Sequence, residues 1–415
     1  MKAQQIPVYG ADSLKKHFEK KIKLLLDSKG ALAGHYSIDL FGVSMFADPN
    51  ARRQAEYRVN WSDLPLYKEL MRRSSREEAI AIMKEKGEKP FSAAIQKAYG
   101  NAVVAPAQPL PGKPLAGLRI ALDPGHVAGD LGMGKIEQKY IEFDAKDEKD
   151  PYPPQLVEGQ LTWATTAILK KKLEEAGAIV MVTRGPGMTA FGKTFEQWKK
   201  DDYKRTLDSL RKIKGRTIPA HSDDRGIFRH VFRDAELRKR VEKINAFDPD
   251  YTIIIHYNVD ETNVDWKKTT KKNYNMAFVG GSFQAGELND PERRFDFLRL
   301  LLTDDLDRSI EFSGTVTQAF KEKLNVPLAK QTDAQYLKSS CLPTSREGVF
   351  ARNLSQTRLV QGVLVYGETL YQDNETEWNL LRATDHQEGD LVTSKRVAQV
   401  AEAYYQAMLN AAAKQ

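Results

Sequence analysis

The hydrophobic rhythm of the chain changes once, near residue 117. Before that point apolar residues recur at helical spacing: Leu14, Phe18, Ile22 and Leu25 follow Asp12-Ser13, and Gly30 supplies a stop. Ser75-Arg76-Glu77-Glu78 has the form of a capping box ahead of Ala79, Ile80 and Met83, in a helix ending near Gly87. Residues 105–114 carry Pro106, Pro109, Pro111 and Pro114 and read as a linker. From Gly117 the pattern becomes strand, turn, helix. Apolar runs at 118–122, 178–184 (AIVMVTR), 251–258 (YTIIIHYN) and 362–366 (GVLVY) predict buried strands, with a further one at 274–279. Helices are expected around Leu161, Ala164, Ile168 and Leu173, around Leu237, Val241 and Ile244, over 295–306 and 316–324, and around Val397, Val400 and Tyr404. The polar stretch 135–154 reads as a long surface loop, and 185–233 as an excursion without core periodicity. The predicted fold class is α/β: a mixed, mostly parallel sheet flanked by helices over 116–415, with a separate, mainly helical N-terminal region over 1–115.

Composition narrows the picture. The 415 residues are 41% hydrophobic and 29% charged, as expected of a soluble globular protein. No apolar run approaches the ~20 residues of a membrane helix. The opening residues lack the apolar core of an export signal. The single cysteine, Cys341, excludes an internal disulfide and a cysteine-rich metal site, and reads as a packed small residue. A net charge of +7 favours an anionic partner. Without a basic helix or an RNA-binding signature, nucleic acid is not expected, whereas an acidic polymer such as cell wall fits the charge.

Candidate chemistry starts at His126, which Asp123-Pro124-Gly125 delivers at the carboxyl end of the first strand, where open α/β sheets place their sites. His256 and Glu368 follow later strands in the same manner, and Glu158 opens a helix. Two imidazoles and one carboxylate form a catalytic rather than a structural zinc set, because a fourth position stays open. The positive end of the helix favours an ionised Glu158. Glu142 is the competing carboxylate, but no helix is expected after it. Glu368 is then left to act as a base toward water. The bland readings are satisfied buried histidines, a helix-capping Glu158 and a surface Glu368. His221 and His230, beside Asp223, Asp224 and Arg229, read as solvated or loop-ordering.

Taken in order, DPGH at 123–126, Glu158, IIIHYN at 253–258 and VLVYGE at 363–368 resemble the catalytic domain of zinc-dependent N-acetylmuramoyl-L-alanine amidases. Leu237 through Arg240 to Asn245 is similar to that family's L-x-x-R-x(4)-N helix, and Glu368 to Asn374 to its E-x(5)-N pattern. The resemblance spans roughly residues 117–410. It implies Zn2+ held by His126, Glu158 and His256, with Glu368 as general base and acid in cleaving the amide between N-acetylmuramic acid and L-alanine of peptidoglycan. Arg352 falls where the family often carries a cleft arginine and is expected near substrate; Asn258, two residues beyond a ligand, reads as stabilising the turn, with a substrate contact as the other reading. A periplasmic, cell-envelope or extracellular location and, in some members, a protein activator go with it. Val127-Ala128 stand where the family has two glycines, and insertions are expected near 127–155, 187–235 and 281–307. The last includes the Phe295, Leu298, Leu301, Leu302 stripe, which reads as core or as a regulatory helix. The alternatives are a catalytically weak wall-binding or regulatory protein on the same fold, or another zinc hydrolase acting on a peptide or N-acyl amide.

Overall fold

The computed structural model describes residues 10–86, 112–143, 155–214 and 219–414. Seven strands form the central sheet: β1 (Arg119–Pro124), β2 (Ile179–Val182), β3 (Tyr251–Asn258), β4 (Met276–Val279), β5 (Cys341–Pro343), β6 (Val349–Arg352) and β7 (Leu364–Tyr371). Their spatial order is β5-β6-β4-β7-β3-β1-β2. The pairs β6·β4, β7·β3, β3·β1 and β1·β2 are parallel, while β5·β6 and β4·β7 are antiparallel. The sheet is therefore mixed and mostly parallel, as the pattern predicts.

Alternation along the strands splits the core into two layers. Ile120, Leu122, Ile253, Ile255 and Val365 join the helices α1 (Glu158–Glu175), α4 (Asp305–Leu324) and α5 (Lys395–Ala412) in one continuous apolar cluster. Ala121 and Leu364 point to the opposite face, against Val241 and Ile244 of α2 (Arg233–Phe247). All eight residues of β3 are buried, so its unbroken apolar run reflects cover on both faces. The run at 178–184 behaves differently from expectation. β2 is an edge strand with Ile179 49% exposed, because β1 is its sole neighbour in the sheet.

The stretch 135–154 is not simply a loop. Leu131–Glu137 is a short helix, and Tyr140–Glu142 pairs antiparallel with Gln155–Val157. A two-turn helix containing Gly132 and Gly134 and strands of three residues are too short to imprint a period on the sequence. Residues 144–154 and the proline-rich 105–111 lie outside the described residues. The 187–235 excursion folds around an apolar cluster of its own, in which Phe195, Trp198, Phe228 and Phe232 pack edge to face.

The N-terminal residues 10–86 hold helices Ala11–Lys21, Leu64–Arg73 and Arg76–Lys86 and a three-stranded antiparallel sheet. The capping box is realised: Ser75 N donates to Glu78 Oε2 at 2.9 Å, and Glu78 N to Ser75 Oγ at 3.3 Å. Phe18, Ile22 and Leu26 belong to the same apolar cluster as the sheet. Helix α3 (Pro291–Leu302) packs against this region, with Arg76 Nε 2.9 Å from Asp296 Oδ1 and Tyr36 stacked on Phe297 at 5.4 Å. The Phe295, Leu298, Leu301, Leu302 stripe is fully buried and is core.

Candidate metal centre and its cavity

β1 ends in Asp123-Pro124, and the next two residues turn sharply enough to place His126 in the left-handed region, at φ 55°. Buried polar groups hold that turn. Gly125 N donates to Ile255 O on β3 at 2.8 Å. Arg240 donates to Pro124 O at 2.7 Å and to His126 O at 3.0 Å, while Arg184 reaches Gly125 O at 2.8 Å. Arg240 is in turn paired with Asp123 at 3.2 Å and Glu236 at 2.9 Å. Breaking such a buried pair from one side typically costs about 3–5 kcal/mol. Gly125 is required by its neighbour: a Cβ there would lie 2.2 Å from the His256 ring.

Three side chains converge beside this turn. His126 from the turn, Glu158 from the first residue of α1 and His256 from β3 offer ligand atoms within 4.8 Å of one another. Glu158 Oε1 accepts from His256 Nδ1 at 3.1 Å and from Tyr257 N at 3.2 Å. Its other oxygen, Oε2, stands 3.3 Å from His126 Nε2, yet both atoms are buried without a hydrogen-bond partner. Two orphaned polar atoms aimed at a common point are what a shared cation would satisfy. An N,N,O donor set with one carboxylate suits zinc.

Glu137, unnoticed in the sequence, completes the support of His126. Its Oε1 lies 3.0 Å from His126 Nδ1, and its carboxylate also accepts from Val127 N and Ala128 N. A carboxylate on Nδ1 keeps the proton there and presents the Nε2 lone pair to the cluster, the common arrangement behind metal-bound histidines. His256 is stacked on Tyr366 at 4.6 Å with rings 6° from parallel. No spacing rule would find Glu137, since a glycine-bearing two-turn helix brings it back over eleven positions.

The charges of the site depend on one another. Burial pushes His256 down to about 4, so its imidazole is neutral at pH 7. Burial acts the same way on His126, but Glu158 and Glu137 outweigh it and raise that pKa. Against the effect of its own burial, Glu158 is held well below the usual carboxylate range by His126 and Lys139.

Glu368 belongs to β7, paired in register with His256 on β3 and with Met276 on β4. The strand runs on to Tyr371, five residues beyond Tyr366, where the apolar run ends, so Glu368 lies within the strand rather than in a turn. Burial and the nearby Glu158 push its pKa up to about 8, with Lys139 and Arg352 opposing. It lines a cavity of about 340 Å³ together with Lys139, Asn258, Asp260 and Trp266. Asn258 Oδ1 accepts from Val259 N at 2.8 Å, and its Nδ2 approaches Met276 Sδ, so it shapes the strand end while lining the cavity. Arg352 is held over the rings of Phe278 and Tyr336 at 4.9 and 4.7 Å.

Other candidates lie elsewhere. His221 and His230 stack at 4.5 Å inside the 187–235 insertion, with Tyr203 Oη bonded to the His221 backbone, which is a loop-ordering role. Val127 packs into the aromatic core of that insertion and is 2% exposed. Glu142 pairs with Lys135 at 3.1 Å and takes no part in the cluster.

Fold and site together define an α/β scaffold with a candidate mononuclear metal centre and a neighbouring acid at the ends of its strands. Solved structures to which the chain is similar include the CwlD amidase from Clostridioides difficile, in a complex with the GerS lipoprotein, at 16% identity and a TM-score of 0.40, covering 72% of this chain and 100% of that one. Others are the N-acetylmuramyl-L-alanine amidase Ami1 from Mycobacterium smegmatis, at 14% identity, TM-score 0.39 and coverages of 72% and 99%, and the N-acetylmuramoyl-L-alanine amidase AmiC2 of Nostoc punctiforme, at 13%, 0.35, and 71% and 97%. No protein-family model and no curated protein matches the sequence. Among the described residues no helix is long and apolar enough to cross a membrane.

Proposed function

We propose that this protein is a zinc-dependent peptidoglycan hydrolase cleaving the amide between N-acetylmuramic acid and L-alanine. The observation that carries the reading is the orphaned pair His126 Nε2 and Glu158 Oε2 together with Glu368, which stands in register beside His256, feels the Glu158 charge and lines the neighbouring cavity. The ordered resemblance from the DPGH turn to Glu368 supports the choice of substrate.

His126, Glu158 and His256 would hold Zn2+. When bound, Zn2+ supplies Lewis acidity toward a carbonyl and makes water a better nucleophile near neutral pH. Glu368 moves the protons. It accepts one from the attacking water as the oxygen adds to the carbonyl carbon, then returns it to the amide nitrogen as the C–N bond breaks. A pKa near 8 suits the second task better than the first. Part of that rise comes from the Glu158 charge, which a bound cation would offset, leaving Glu368 closer to a working base. Arg352, half-buried at the end of β6, would meet a substrate carboxylate. A substrate in the wall implies action in the periplasm, cell envelope or outside the cell.

The test is release of muramic acid carboxyl termini and L-alanine amino termini from purified sacculi. Release with Zn2+ that a chelator abolishes is expected; no release by the zinc-loaded protein would end the proposal. A second reading, a wall-binding protein without turnover, draws on Lys139, whose ammonium stands 3.9 Å from Glu158 Oε2 and could neutralise it without a metal. Metal analysis separates the two: one equivalent of tightly held zinc favours the hydrolase.

A further inference from the structure

A positive charge stands inside the candidate centre that neither the ligand set nor Glu368 uses. Lys139 follows Gln138, a left-handed residue at φ 57° that ends the short helix Leu131–Glu137. The same turn therefore supplies Glu137 to His126 and Lys139 to the cavity. Its backbone is pinned on both sides: Lys139 N donates to Gly134 O at 2.9 Å, and Lys139 O accepts from Glu158 N at 3.2 Å. The side chain is 35% exposed and lines the cavity with Glu368. Its Nζ stands 3.9 Å from Glu158 Oε2, beyond hydrogen-bond distance, and 5.9 Å from the Trp266 ring centroid. Thus the ammonium approaches the cluster without spending its donors there.

Resting on the hydrolase reading above, we infer that Lys139 is a further catalytic residue, whose ammonium donates a hydrogen bond to the carbonyl oxygen of the scissile amide. A cation carried by a pinned backbone at the edge of the site interacts more strongly with that oxygen as negative charge develops on it. No proton leaves Lys139: the group acts by charge and hydrogen bonding, and the water proton travels by way of Glu368. The turn geometry accounts for the placement. Glu158 N fixes the lysine backbone, so the cation is built into the same unit as the metal ligand.

Lys139→Met, Lys139→Gln and Lys139→Arg test the assignment in the zinc-loaded full chain, with kcat and KM on a soluble muramoyl-peptide and Zn2+ affinity from chelator competition. Losing one preorganised donor to a developing oxyanion is expected to lower kcat about 10²- to 10³-fold in the Met and Gln variants with little change in KM. Zn2+ affinity should stay equal or rise, since a repelling charge has gone, and Arg should recover part of kcat. Parent-like kcat in Lys139→Met, or a kcat loss that merely follows zinc loss, overturns the inference while leaving the hydrolase reading intact. An inactive zinc-loaded parent overturns both.

Discussion

The two banks of the cleft are built on different principles. On the sheet bank, His256 and Glu368 sit opposite each other in register on β3 and β7, with Glu158 on the first turn of α1 and His126 on the turn after β1. Backbone pairing and a packed core fix each of these. On the loop bank, the segment 259–273 has no strand ladder and depends on side chains. Asp373 accepts from Asp260 N at 3.1 Å and from Asn263 Nδ2 at 3.0 Å, and Asn374 Nδ2 donates to Thr270 O and Lys272 O at 3.3 Å. Its tip carries Val264, 76% exposed, and the exposed Lys267, Lys268 and Lys271. The contrast is one of construction: one bank is held by main-chain register, the other by side-chain bonds with a mixed rim in which Lys268 pairs with Asp265 and Lys272 with Asp260.

The largest effect is expected on the sheet bank. Glu368→Gln keeps the shape and removes the proton carrier, so wall hydrolysis should fall about 10²- to 10⁴-fold with zinc content unchanged. A variant as active as the parent would remove Glu368 from the mechanism. Gly125→Ala comes next. Its methyl would press on the His256 ring, and overpacking of about 1–3 kcal/mol corresponds to roughly 10- to 100-fold in zinc affinity, read by chelator competition. Glu137→Gln should weaken zinc binding about 10- to 100-fold, the usual consequence of altering a partner of a ligating histidine. The smallest effect on chemistry belongs to the loop bank. Asp373→Ala leaves Asp260 N unpaired and removes one of the two acceptors of Asn263 Nδ2, which keeps Lys268 O, costing about 1–3 kcal/mol. Amide exchange should quicken across 260–273 while zinc affinity holds. A zinc affinity that fell with it would show the two banks to be one cooperative unit.

The two segments expected as insertions at 187–235 and 281–307 pack against different parts of the molecule. The 187–235 insertion reaches the site through Val127, one residue past a candidate ligand, whose side chain fills the insertion's aromatic core. A bulky residue where the resemblance expects glycine is thus explained by packing. By contrast, the 281–307 segment turns toward residues 10–86, where Lys21 Nζ donates to Thr303 O at 3.0 Å and Ser282 N to Leu25 O at 2.7 Å. Neither destination could be read from composition, because an amphipathic or apolar stripe reports that it is covered and not by what.

The strand-and-turn residues were legible for a local reason. Apolar runs bounded by Asp-Pro-Gly or Gly-Glu announce a buried strand; His126 stands just past such a run, while the strands carrying His256 and Glu368 continue beyond those residues. Glu158 was legible because it opens a long periodic helix. Glu137 and Lys139 were not, since they flank one left-handed residue at the end of a short helix, a turn too brief to leave a period in the sequence.

By itself, then, the sequence determined the mixed sheet, its helical cover and which strands, turn and helix start carry the four candidate side chains, because hydrophobic period and turn chemistry are properties of neighbouring residues. Tertiary structure alone decided that Glu137 backs His126, that Lys139 faces Glu158, and that β2 lies at the sheet edge. Those relations join positions whose separation carries no period, and only the folded packing brings them within a few ångströms.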